Sequence, residues 1–169
     1  MSSEYIACPH CGQEVERFRN PAPTVDAVIY HPKYGVALIG RANPPLGHAL
    51  PGGFVDVGES TEQAVRREAL EETGLHIRLT GLLGVYSDPE RDPRSHTLST
   101  VYTASPENPE AIKAGDDAAQ AAFYPLDRLP ELVFDHDRIM RDFLDMLNGK
   151  RGLAGIAYPL DDLCRLKRH

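Results

Sequence analysis

Positive charge is in short supply in this chain, which sets 18 lysines and arginines against 25 acidic residues for a formal net charge of -7. The basic residues gather into no patch and no helix-turn-helix segment, which argues against nucleic acid as a partner. Cysteine is scarce as well. Three cysteines make no disulfide framework, and that favours a reducing compartment. No apolar run approaches the roughly 18 residues of a membrane helix, and no basic-then-apolar leader opens the chain. Neither a membrane span nor export is expected, and the expected location is the cytoplasm. Internal repeats and low-complexity tracts are also missing. What remains, 41% hydrophobic and 25% charged over 169 residues, suits one core burying about two-thirds of the unfolded surface.

Carboxylate, in contrast, is abundant and locally concentrated. Ser60 has the character of an N-cap, Gln63 completes a capping box, and Gly74 suits the left-handed position past a last turn. The ends alone therefore predict a helix over Thr61–Thr73. At 3.6 residues per turn, Glu68, Glu71 and Glu72 share one face of it. Ala64 and Val65 fall in the same sector, so this face looks at protein, unlike the solvated faces that most charge runs form. Like charges so close call for a positive partner, and hard oxygen donors suit magnesium or manganese better than zinc. Glu59, just before the cap, and Arg67, about a quarter turn from the carboxylates, can form a bidentate pair that fixes the preceding glycine turn. In that turn Gly52 and Gly53 follow Pro51, which allows close backbone approach and offers a carbonyl, at Gly53, as a further metal ligand.

Around this helix, apolar segments alternate with turn residues. Residues 25–30, 35–41, part of 75–85, 97–104 and 121–126 carry β-branched or aromatic side chains and end at Gly, Pro or Asp, as strands do. A second helix is predicted from an Asp135 cap through Ile139, Phe143, Leu144 and Leu147, at core spacing, to Gly149. Elements in this order predict an α/β/α sandwich with a mixed β-sheet, of the α+β class.

From Gly53 to Leu75 the chain resembles the signature box of the Nudix hydrolases, enzymes that cleave a nucleoside diphosphate linked to another group. Gly53, Glu59, Arg67, Glu68, Glu71, Glu72, Gly74 and Leu75 coincide with the fixed positions of that pattern, and Ala69 fills its aliphatic position. The resemblance implies metal ligation by Glu68, Glu71 and Glu72, an orienting role for Glu59 and Arg67, and the Nudix-type sandwich over roughly residues 21–148. It also implies a small-molecule nucleotide substrate and a magnesium or manganese cofactor. Such a cation lowers the pKa of a bound water and neutralises charge on the departing phosphate. It supplies the local attraction for a polyanion that an acidic chain lacks. For the general base, Glu72, Glu71, Asp116 and Asp117 stand as alternatives.

Segments outside the box narrow the substrate. Residues 114–118, 123–126 and 134–136, with Asn43-Pro44-Pro45 and the loop 87–96, resemble the bacterial and archaeal Nudix proteins described as ADP-ribose pyrophosphatases. That implies cleavage of ADP-ribose to AMP and ribose 5-phosphate. Pro89 and Pro93 flank, without occupying, the place where such enzymes often carry a proline. The loop 87–96 is polar and proline-stiffened, a candidate specificity loop. Its Arg91 and Arg94 could grip a terminal phosphate or ribose, or could pair locally with Asp88, Glu90 and Asp92. Arg41, ending a strand just upstream of the glycine turn, is the stronger candidate for the diphosphate. His96 and Asp116 complete the candidate substrate contacts, with His136 a weaker one, while His31, His48 and His76 read as surface or turn residues.

Residues 1–20 form a separate segment holding Cys8-Pro9-His10-Cys11-Gly12, half of a zinc ribbon. Tetrahedral zinc needs four ligands, and the second Cys-x-x-Cys pair is missing. Cys164 with His10 or His169, or a second copy of the chain, could complete a site at Cys8 and Cys11. A redox pair lacks the βαβ context it needs. Nudix relatives that act on NADH carry a full ribbon, so NADH or another dinucleotide is the alternative substrate, and nucleoside triphosphates a further one. Residues 149–169 read as a tail, docked or serving as a homodimer arm. A noncatalytic nucleotide sensor is the alternative of another class. Retention of every box carboxylate, with no DNA-binding module, counts against it.

Overall fold

A computed structural model describes residues 3–115 and 118–150. Two strands, β1 (Ser3–Ala7) and β2 (Glu14–Phe18), pair antiparallel as a hairpin of their own, with the Cys8–Gly12 stretch at its tip. The sequence marks this stretch only as a metal motif. Its strands bury little and alternate weakly, so period-two patterning does not announce them.

The main sheet has seven strands: β3 (Ala22–His31), β4 (Gly35–Arg41), β5 (His48–Ala49), β6 (Gly52–Phe54), β7 (Ile77–Tyr86), β8 (Thr97–Pro106) and β9 (Ala118–Tyr124). Along its main path the order is β5-β4-β3-β8-β7, with β6 paired to β3 and β9 to β4. β3 and β8 run parallel and the other pairs antiparallel, so the sheet is mixed as expected.

Alternation along β3 explains the sandwich. Val25, Ala27 and Ile29 point to one face, where they pack with Ala64, Val65, Ala69 and Leu75 of the helix α1 (Thr61–Thr73) and the turn after it. Val28 points to the other, where it joins Leu38, Val101 and the Ile139, Met140 and Phe143 row of the helix α2 (His136–Leu147). One central strand thus feeds two apolar layers, and Asp26 lies on the α2 side among them.

The ends of α1 are built as its sequence dictates. Ser60 Oγ accepts from the Gln63 amide at 3.3 Å and Gln63 Oε1 accepts from the Ser60 amide at 2.8 Å. Gly74, at φ 68°, sends its amide back to the Leu70 carbonyl, a backbone angle that favours glycine. The helix lies with Glu68 and Glu72 against Gly53 and Gly52 of β6. Among the described residues, no helix is long and apolar enough to cross a membrane.

Candidate active site

The glycine turn and the helix meet at a distance that only glycine permits. β6 lies against β3 with Gly52 opposite Asp26 and Gly53 opposite Val25. A Cβ on Gly53 would collide with the Glu68 carboxylate, and one on Gly52 with the Val25 carbonyl and the Asp26 side chain. The gap closed in this way lets Glu72 Oε2 accept the Gly52 amide at 2.9 Å.

Arg67 is the positive charge that the carboxylate face requires. Its Nε and Nη2 donate to the two oxygens of Glu59 at 3.2 and 2.6 Å, which is the fork expected from sequence. Nη2 also reaches the Phe54 carbonyl at 3.0 Å. Beyond the expectation, Nη1 donates to Glu68 at 2.8 Å and to Glu71 at 3.0 Å. One guanidinium thus ties the box loop to three glutamates, and these bonds, Glu59 first, hold its pKa above the ordinary arginine value.

Gly52 and Gly53 also line a pocket whose walls include Asp26, Arg41, Arg94, Phe134 and His136. The guanidiniums of Arg41 and Arg94 both pack on the Phe134 ring, at 4.9 and 5.2 Å from its centroid. Arg41 Nε donates to the Pro45 carbonyl at 2.8 Å. Burial, then the nearby Arg94 charge, lower its pKa. Arg94 forms a fork with Asp92, at 3.0 and 2.8 Å, one of the local partners foreseen for it.

Arg91 also lines this pocket, and it does not take up the local pairing that was one alternative raised from its sequence. Its side chain is only 5% exposed, and it pairs with none of Asp88, Glu90 and Asp92. It forks onto Asp135, at 3.1 and 2.7 Å, donates to Thr97 Oγ1 at 3.0 Å, and lies 3.5 Å from Asp26. Asp26 in turn accepts from Ser99 and stands 3.5 Å from His136 Nε2, while His136 Nδ1 accepts the Leu50 amide at 2.9 Å. Burial holds the His136 pKa down, so the ring is neutral, with its proton on Nε2 toward Asp26. The network clamps the 87–96 loop, β3, β8, the start of α2 and the Leu50 turn under the pocket floor. Sequence reasoning misses Asp26 as a site residue, and it singles out the segment 134–136 without giving Phe134 or Asp135 a role in the site. A lone carboxylate within the apolar run Val25-Asp26-Ala27-Val28 is the signal that could have found Asp26.

Comparison with known proteins matches the NUDIX domain family to residues 20–145. This chain belongs to the Nudix family. It is 45% identical over 142 residues, 81% of this chain and 83% of the other, to a Methanocaldococcus jannaschii protein named ADP-ribose pyrophosphatase. It is 27% identical, over 92% of this chain but 52% of the other, to the NAD-capped RNA hydrolase NudC of Pseudomonas aeruginosa. Among solved structures, the NUDIX domain of Shewanella oneidensis NrtR complexed with ADP ribose superposes with a TM-score of 0.67 at 31% identity, covering 77% of this chain and 90% of that one. A Francisella tularensis NMN adenylyltransferase/ADP ribose pyrophosphatase, complexed with AMP and a manganese ion, gives 0.63 at 29% identity, covering 76% and 42%.

Does the Nudix box of this chain fit a divalent cation? Among the described residues no three His, Cys, Asp or Glu side chains stand as a ready cage. The reason is visible: Arg67 holds Glu59, Glu68 and Glu71, and Glu72 is turned to Gly52. The donors nevertheless are all carboxylate oxygens, suited to magnesium or manganese, and the lack of a side chain on Gly53 lets the Glu68 carboxylate lie against the glycine turn. The residues fit the ion once Nη1 of Arg67 yields Glu68 and Glu71.

Burial pushes the Glu72 carboxyl up to about 8, with Glu68 and Asp26 adding to the rise against the Gly52 amide and Arg41. Glu68 is raised too, again mainly by burial. An unfolded glutamate loses its proton near pH 4.3. In metal-free protein the native state therefore binds more protons than the unfolded one between that pH and about 8, so stability falls as pH rises through this window. Urea titrations in chelator should show a loss of about 3 kcal/mol from pH 5 to pH 7.5 that Glu72→Gln removes. An identical slope in the variant would disprove the assignment.

Other residues singled out from sequence lie elsewhere. His96 is exposed, 3.4 Å from the Ser87 carbonyl, and does not line the pocket. Asp116 and Asp117, like Cys164 and His169, lie outside the described residues. Cys8 and Cys11 stand as free thiols at the hairpin tip. Backbone hydrogen bonds at His10 and Cys11 lower the Cys8 pKa. Among the described residues neither His10 nor any acidic group gathers with them into a metal set, and Cys164 and His169, named as completing ligands, lie outside those residues.

Proposed function

We propose that this Nudix hydrolase cleaves the diphosphate of ADP-ribose to AMP and ribose 5-phosphate, with magnesium or manganese as cofactor. The observation that carries this reading is that Gly52 and Gly53 line the pocket of Arg41 and Arg94 while lying against the carboxylates of Glu72 and Glu68. The Methanocaldococcus jannaschii protein at 45% identity and the relative that binds ADP ribose support the substrate. Glu68, Glu71 and Glu72, with the Gly53 carbonyl, hold the cation, and Glu59 and Arg67 orient them. When bound, the cation activates water and neutralises the leaving phosphate.

Arg41 and Arg94 grip the diphosphate, Arg94 exchanging Asp92 for a phosphate oxygen. Glu72 is the general base. It sits beside the glycine turn, where its carboxylate accepts the Gly52 amide at 2.9 Å. Dinucleotide cleavage is the second reading, favoured by the NudC match, which covers 92% of this chain. A panel of ADP-ribose, NADH, diadenosine polyphosphates and nucleoside triphosphates, each with magnesium and with manganese, separates the readings. AMP and ribose 5-phosphate as the fastest products are expected. Preference for triphosphates would overturn the substrate, and tight ADP-ribose binding without turnover would favour a sensor.

A further inference from the structure

A second cleft, of about 500 Å3, opens where the end of the β1–β2 hairpin meets the 87–96 loop. Its walls carry Arg17, Arg19, Arg94 and His96, with the aromatic Phe18 and the amide of Asn20, and among the described residues no carboxylate lines it. In a chain of net charge -7, such a wall is a local reversal of sign and a focus for anions. The two sides are tied together, since the Ala22 amide donates to the His96 carbonyl at 3.0 Å. Phe18, 54% exposed, adds an apolar surface. Arg19 is engaged at 3.5 Å by Glu4, in an exposed pair that exchanges readily. Arg17 makes no ion pair among the described residues.

Arg94 decides what the cleft is for. It lines this cleft and the pocket of Arg41, Gly52 and Gly53 alike, so an anion seated between Arg17 and Arg94 lies next to the diphosphate. The geometry points to a second anion subsite, which takes a phosphate carried by the substrate outside the diphosphate that is cleaved. That phosphate is a monoester on the adenosine ribose, or the first phosphodiester of a nucleotide chain attached there. The inference rests on the diphosphatase reading, and its test separates the two.

Affinity for ADP-ribose, ADP-ribose 2′-phosphate, NAD and an NAD-capped dinucleotide should be measured by calorimetry with calcium in place of magnesium, and kcat/KM with magnesium. One or both phosphate-extended ligands are expected to bind about tenfold more tightly than their unextended counterparts, as an added charge-assisted contact provides. Arg17→Ala/Arg19→Ala should reduce that ratio to about one and leave kcat/KM for ADP-ribose within about twofold of wild type. Preference for the 2′-phosphate assigns the monoester, and preference for the capped dinucleotide the diester. Equal affinities of extended and plain ligands, or a ratio the double variant leaves intact, would overturn the subsite even with hydrolysis normal. A preserved affinity ratio without hydrolysis would instead sink the diphosphatase reading and uphold the subsite.

Discussion

Glu68→Gln is expected to lower kcat on ADP-ribose by about three orders of magnitude, or ~4 kcal/mol of transition-state stabilisation, with little change in thermal midpoint. The side chain sits at the crossing of the two features that make the site: its carboxylate fills the space left by Gly53 and accepts Arg67 Nη1 at 2.8 Å. Glutamine has the same shape and keeps a carbonyl oxygen for Arg67, so the fold is spared while the charge that holds a cation is lost. Glu71 shares Arg67 but is much more exposed, 57% against 14% for Glu68, so Glu71→Gln should cost less. Steady-state kinetics with saturating magnesium, beside a melting curve, provides the check. A Glu68→Gln enzyme within tenfold of wild type would remove Glu68 from the proposed metal set.

Arg91→Met should destabilise the protein by about 3–5 kcal/mol, the cost of leaving a buried ion pair half made. The arginine is held up in pKa because the Asp135 hydrogen bonds and the Asp26 and Asp135 charges outweigh the effect of its burial. Without it, two carboxylates under the pocket floor face each other with only a neutral His136 between the strands and α2. Asp26→Asn in the same chain should recover a substantial share, since the variant then strands one charge fewer. Urea titrations of the two single variants and the double variant form the cycle that measures this coupling. A loss below about 1 kcal/mol for Arg91→Met, or strict additivity, would show that Arg91 is an ordinary surface arginine with weak local pairing.

Both expectations concern a site that is half legible in the amino-acid sequence. The helix α1, its capping box and the angular grouping of Glu68, Glu71 and Glu72 are properties of neighbouring residues. A 3.6-residue period and the chemistry of Ser60, Gln63 and Gly74 determine them whatever the rest of the chain does. The Arg67–Glu59 fork, eight residues apart, is nearly as local. The mixed sheet is legible too, since its longer strands carry their own apolar pattern. β6 is not, because Gly-Gly-Phe has no pattern and becomes a strand only through pairing with β3.

The partners of Arg91 show where local reading ends. From sequence its candidates are the carboxylates one to three places away, and its actual partners lie 44 and 65 positions distant. Exposed neighbours along a chain offer weak pairing, whereas a folded interior that buries Asp26 requires a buried guanidinium to compensate it. The same holds for Phe134 between Arg41 and Arg94, and for the cleft shared by the hairpin and the 87–96 loop. Sequence by itself determined the reactive face of one helix and the family to which it belongs. Tertiary structure alone decided which charges are buried, which are paired, and which remain turned toward a substrate, because burial and distance between remote segments exist only once the chain has closed on itself.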